Sequence, residues 1–149
     1  MTRQAGCPLC EGDGGLVVAR TPKFRVVRVV DGDEARRFPA FYRLIWREHV
    51  AEFSDLSAAD RHDCMDAVAE IERVLRSRLS PTKVNLASLG NVVPHLHWHV
   101  IARFQGDSHF PAPVWAAPQR EAVPTLAQPL QVVDAAVAQS FASAIRTPG

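Results

Sequence analysis

Three histidines at alternate positions carry the chemistry that this chain most plainly encodes: Pro94-His95-Leu96-His97-Trp98-His99-Val100-Ile101. On an extended strand, residues two apart point to the same side, spaced roughly 6 to 7 Å. His95, His97 and His99 are therefore expected on one face, with Leu96, Trp98 and Val100 directed into the core. An imidazole with a pKa near 6.5 is substantially neutral at pH 7, so it can act as a nucleophile, relay a proton or ligate a metal. The row alone does not choose between nucleophilic catalysis and metal ligation, because both use the neutral nitrogen.

A second group of reactive side chains lies near the start, in Cys7-Pro8-Leu9-Cys10. Cysteines at this spacing supply half of a tetrahedral zinc set; the alternative is an unmetallated, redox-idle pair. A thioredoxin-like role is disfavoured, since no strand precedes the pair. Cys64 makes the count three, and an odd number argues against a secreted disulfide framework. Cys64 falls within a helical pattern and reads as a small buried apolar side chain.

Composition narrows the function classes. The 149 residues are 47% hydrophobic, with 17 Lys+Arg against 16 Asp+Glu. This is one ordinary domain with a core of its own, and disorder is excluded. The charge balance argues against wrapping duplex nucleic acid but leaves room for a local basic pocket. No run approaches the roughly 20 apolar residues of a membrane helix. Residues 1–7 lack the apolar segment of a secretory signal, so the cytoplasm is the expected compartment.

The elements that must position these groups follow from periodicity. Strands are expected at residues 16–20, 24–30, 41–46, 82–87 and 97–103. Gly12-Asp13-Gly14-Gly15 marks a turn, and Asp31-Gly32-Asp33 has hairpin-turn chemistry. Met65, Val68, Ile71, Leu75 and Leu79 recur at spacings of three and four, one face of a long helix. Ser57 is its expected N-cap, and Pro81 helps to end it. Neighbouring strands that do not alternate with helices favour an α+β fold, with a mostly antiparallel five-stranded sheet and one long helix. Residues 1–115 are expected to form the domain. Residues 116–149 read as a Pro/Ala-rich C-terminal extension, with a loosely attached helix at 132–145. Asp107-Ser108-His109-Phe110-Pro111, with Trp115 beyond, reads either as a lid or as a surface loop with aromatic anchors.

The run from His95 to Ile101 resembles the His-φ-His-φ-His-φ-φ signature of the histidine-triad (HIT) superfamily of nucleotide hydrolases and transferases. The likeness extends to Cys7-Pro8-Leu9-Cys10, to Trp46-Arg47-Glu48-His49-Val50 followed by Phe53-Ser54-Asp55-Leu56, and to Asn85-Leu86-Ala87-Ser88-Leu89-Gly90-Asn91. It implies a HIT-like homodimer whose substrate is a purine nucleotide, as a nucleoside phosphoramidate or a dinucleoside polyphosphate. His97 would attack the α-phosphorus, and water would resolve the nucleotidyl-histidine to a nucleoside monophosphate. For that step the other His97 nitrogen needs an acceptor to fix the tautomer, and a backbone carbonyl of the same loop is expected.

The resemblance further implies that His99 donates to phosphate oxygens and protonates the leaving group, while His95 orients the site or serves a metal. Asn85 would support the nucleotide. Val92 stands where many members have Ser or Thr, and Asn91 beside it could supply a donor instead. Cys7, Cys10, His49 and His95 would hold a structural zinc, with no cofactor required for the chemistry. Two alternatives stay open: a zinc-dependent hydrolase with the triad histidines as ligands, and a non-catalytic nucleotide-binding dimer.

Overall fold

The computed structural model describes residues 2–143, so positions 144 and 145 of the expected C-terminal helix lie outside the described residues. Five strands, β1 (Leu16–Arg20), β2 (Phe24–Arg28), β3 (Phe41–Trp46), β4 (Lys83–Ala87) and β5 (His97–Arg103), form one sheet in the order β1-β2-β3-β5-β4. Every pairing is antiparallel. The fold is α+β, as expected. Strand β3 lies at the centre, and five of its six residues are buried. Burial on both faces explains its aromatic and branched residues, which only Arg43 interrupts.

Helix α3 (Ala58–Leu79) covers one face of the sheet. The Ser57 hydroxyl accepts from the Asp60 N–H, and Ser80 closes the helix in the left-handed conformation ahead of Pro81. Cys64, Val68, Ile71 and Leu75 from α3 meet Val26, Leu44, Val100 and Ala102 from the sheet in the main core. Burial pushes the Cys64 thiol up to about 12, so it packs as an apolar group. No described helix is long and apolar enough to cross a membrane.

Two expectations are corrected. The Asp31-Gly32-Asp33 segment is no hairpin turn but opens a short helix, α2 (Gly32–Arg37), following α1 (Pro8–Glu11) in chain order. Asp33 in its first turn accepts from Arg36 and Arg37, which stabilises a helical turn over a tight reversal. Strands β2 and β3 remain antiparallel neighbours across this longer link. The C-terminal helix α4 (Leu130–Ser140) is not loosely attached. Val133 and Val137 are fully buried in the main core, and Asp134 accepts from Arg28 at 3.0 Å and from the Tyr42 hydroxyl at 2.6 Å. Burial, then the Asp134 bond, raises the Tyr42 pKa above its ordinary value, so the phenol keeps the proton it donates.

The opposite face of the sheet carries the histidines. Across β3 and β5, Ile45 pairs with His97 and Arg43 with His99; across β4 and β5, Ala87 pairs with His99 and Asn85 with Ile101. Residues directly opposite share a face, so Arg43, Asn85, His97 and His99 all belong to this side.

Candidate functional site

Strand β5 begins at His97, and its alternation does what the pattern required. Leu96 and Val100 are buried in the core and Trp98 packs against it. His97 and His99 lie on the other face with ring centroids 5.1 Å apart. The His97 Nδ1–H donates to the His95 carbonyl at 2.6 Å, the loop carbonyl expected from the chemistry. With the proton held at Nδ1, the Nε2 lone pair is free to attack or accept. Burial lowers the His97 pKa, the His95 carbonyl opposes that shift, and the Arg43 charge adds to it.

His99 is set differently. Its ring touches Phe41 and Trp115, with centroids 5.5 Å and 5.1 Å away. Nδ1 is buried without a hydrogen-bond partner among the described residues. Burial, then the charges of His97 and Arg43, push its pKa down to about 3, so the ring is neutral at pH 7. One N–H remains to donate, and an arriving anion would draw the pKa back up.

His95 departs from the three-on-a-face expectation. It lies before β5, where Pro94 and the His95 N–H to Val93 carbonyl bond at 2.8 Å bend the chain. Its ring turns away from the His97–His99 row toward the cysteines. The ligand atoms of Cys7, Cys10, His49 and His95 lie within 4.8 Å of one another. His95 Nδ1 is 3.6 Å from Cys7 Sγ and 3.4 Å from Cys10 Sγ; His49 Nδ1 is 3.4 Å from Cys10 Sγ and 3.2 Å from His95 Nδ1. Zinc bonds of about 2.0–2.3 Å give tetrahedron edges of about 3.3 Å between nitrogens and about 3.6 Å between nitrogen and sulfur. Four of the six edges, at 3.2 to 3.6 Å, match that frame. His95 Nε2–H donates to the Trp46 carbonyl at 2.7 Å, which fixes the tautomer that exposes Nδ1 as a ligand. His97 and His99 lie outside this cluster.

Asn85 stands on β4, and its Oδ1 accepts from Arg103 at 2.8 Å. Arg103 also reaches Asp107 and the Ala112 carbonyl, and both Arg103 and Asp107 are buried. Composition concealed this network, because a lone Arg and Asp four apart read as solvated surface charges. It also corrects both readings of residues 107–111. Asp107, Ser108 and His109 are buried, so the segment is neither a free lid nor a surface loop but a fixed wall. Asp107 accepts from the Phe104, His109 and Phe110 N–H groups, and Arg120 ties this wall to the chain beyond Trp115. Asn91 is exposed in a bend, and Val92 beside it is 93% exposed.

Two hollows flank the histidines. One of about 230 Å³ is lined by Phe53, Ser88, Gly90, His95 and His97. The other, about 560 Å³, is lined by Lys83, Asn85, Ile101, Val114 and the half-exposed Trp115. A larger one of about 610 Å³ lies away from both, among Lys23, Phe24, Asp63 and Phe141, and offers no histidine or cysteine.

Comparison with known proteins places this geometry in a family. The HIT domain model matches residues 17–106. A histidine triad protein from Bradyrhizobium japonicum is 29% identical, with 90% of each chain covered and a TM-score of 0.63. A histidine triad protein from Sinorhizobium meliloti 1021 is 25% identical, covering 84% of this chain and 88% of that one, with a TM-score of 0.67. A zinc-bound histidine triad family protein from Mycobacterium smegmatis shares the fold at 17% identity and a TM-score of 0.58, over 87% of this chain and 88% of its own. No curated protein matches the chain in sequence.

Proposed function

This chain belongs to the HIT domain family, and from that premise we propose that it is a nucleotidyl hydrolase or transferase with His97 as its nucleophile. The carrying observation is the His97 Nδ1–H bond to the His95 carbonyl at 2.6 Å, which presents Nε2 with its lone pair beside a neutral His99. In the first step Nε2 attacks the α-phosphorus of a nucleotide. The P–N bond to His97 forms as the bond to the leaving group breaks; His99, protonated once the bound phosphate anion raises its pKa, gives that proton to the leaving group. Water then attacks the phosphorus and yields its proton to the now neutral His99, the P–N bond breaks, and a nucleoside monophosphate departs. Asn85, held by Arg103, presents its amide to the nucleotide, and Asn91 lies at the turn that leads into the histidine segment.

The substrate class is a purine nucleotide with a bridged or substituted phosphate, either a dinucleoside polyphosphate or a nucleoside phosphoramidate. A zinc ion fits Cys7, Cys10, His49 and His95, where it would tie α1 to the loop before β5 without entering the chemistry. The alternative of a zinc hydrolase with triad ligands finds no support, because His97 and His99 stand apart from the metal-type cluster. Residues 1–115 are read as the HIT-like domain and 116–149 as an extension whose helix closes the core. The working form is read as a cytoplasmic homodimer. Rapid mixing with a phosphoramidate or diadenosine polyphosphate, followed by mass spectrometry, should trap one nucleotidyl group on His97. Turnover without any His97 adduct would refute the nucleophile. Nucleotide binding without turnover would leave a binding dimer.

A further inference from the structure

Arg43 is a cation that a histidine triad does not by itself require, and the protein leaves it poorly neutralised. It stands on β3 directly opposite His99, on the face that carries His97. Side chains paired in this way are about 5 Å apart at Cβ. Its guanidinium lies over the Phe41 ring at 5.6 Å, and that ring is in turn 5.5 Å from the His99 ring. The cation therefore borders the same patch of surface as the two imidazoles.

A guanidinium offers five N–H donors, and buried ones are normally matched to acceptors. Arg103 meets Asp107, Asn85 and the Ala112 carbonyl, and Arg28 meets both Asp134 oxygens within 3.2 Å. Arg43 has far less. One donor reaches the Gly14 carbonyl at a long 3.3 Å, and another lies 3.8 Å from the half-exposed Glu34 carboxylate. Its Nε–H is buried with no partner among the described residues. Arg43 is itself only partly buried, its side chain 24% exposed, so the guanidinium is open to an anionic ligand that can supply the acceptors its buried Nε–H lacks. Arg43 also lowers the pKa of His99. An anion bound to Arg43 would relieve that effect and favour protonation of His99 once substrate is in place.

We propose that Arg43 is the anchor for a second phosphate, so that the site prefers nucleotides carrying a phosphate beyond the one His97 meets. This rests on the nucleotidyl-transfer reading of His97 and His99. A monophosphate on a neutral leaving group engages the imidazoles alone, whereas a second phosphate also engages the planar guanidinium fork. That phosphate can belong to the 5′ chain or to the ribose, and the chemistry at Arg43 is the same.

Calorimetric titration of the full chain with AMP, α,β-methylene-ADP and adenosine 3′,5′-bisphosphate tests this. Wild-type protein should bind at least one two-phosphate compound about tenfold or more tightly than AMP. Which compound shows the gap tells the 5′ chain from the ribose. Arg43→Met should collapse the gap, and Arg43→Lys should restore part of it; Arg43→Gln replaces the methionine variant if melting curves show that it does not fold. AMP binding without any gap, or a gap that survives Arg43→Met, overturns the role of Arg43 and leaves the nucleotide reading standing. Failure of all three compounds to bind removes both.

Discussion

The Nδ1 atoms of His97 and His99 sit in opposite settings: one donates to a carbonyl at 2.6 Å, and the other is buried with no partner among the described residues. The first fixes a tautomer for attack, and the second leaves a ring whose neutral form is strongly favoured. His97→Ala should therefore lower turnover of a phosphoramidate by about 1000-fold or more while the melting temperature stays within a few degrees. Stopped-flow release of the leaving group and a thermal melt check both halves. For His99, NMR titration should find the ring neutral through pH 5, with its midpoint near the value of about 3 set chiefly by burial. The unfolded chain takes this proton near 6.5, so it binds protons more readily than the folded chain below that pH. Stability should thus fall as pH drops below 6.5, and His99→Phe should lessen that slope. The histidine row, Cys7 with Cys10, and Asn85 could all be named from spacing and resemblance. Arg43 could not: an arginine in the third position of a strand looks like any half-exposed cation, and only its partner across the ladder gives it meaning.

Among the elements, α1 and the loop before β5 depend on each other through the four metal-type ligands. Protein purified without chelator should hold about one zinc per chain, measured by atomic emission. Cys10→Ala should lose the metal and lower the melting temperature. Zinc well below one per chain in wild-type protein would remove the assignment. The alternation of β5 was legible as far as His97, but Pro94 and the Val93 carbonyl turn the chain before it, and His95 joins the cysteines. A period-two pattern fixes side-chain direction only where the backbone stays extended. Helix α4 could be read in outline from residues 132–145, whereas its packing could not. Small apolar residues in a proline-rich tail give no sign that Asp134 will meet Arg28 and Tyr42 across the fold. Ending the chain after Gln128 should destabilise it by several degrees in a thermal melt, because Val133, Val137 and Phe141 leave the main core.

The assembled fold adds a dependence on acid. Burial pushes the Asp107 carboxyl up, but the Arg103 guanidinium and three backbone N–H groups outweigh it and hold the pKa below 3.8. This contribution to stability is full above 3.8, the value of the unfolded carboxyl, and is lost as pH falls toward the folded value. Urea unfolding at a series of pH values should show that loss below pH 4, and Asp107→Asn should remove it while lowering stability at pH 7. If the variant keeps the wild-type acid slope, Asp107 is not its source.

Local sequence determined what depends on neighbours in the chain. The alternation that directs His97 and His99 away from the core, the long amphipathic helix with its Ser57 cap, and the α+β class with its antiparallel strands all follow from short-range geometry and hydrophobic period, whereas the placing of β5 between β3 and β4 does not. Tertiary structure alone decided which distant groups share a space. It brought Cys7 and Cys10 to His49 and His95, set Arg43 opposite His99, buried Arg103 with Asp107, and docked α4 on the sheet. Periodicity reports which side of an element faces water, whereas partners far apart in the chain are chosen by strand register and packing, which no short window of residues contains.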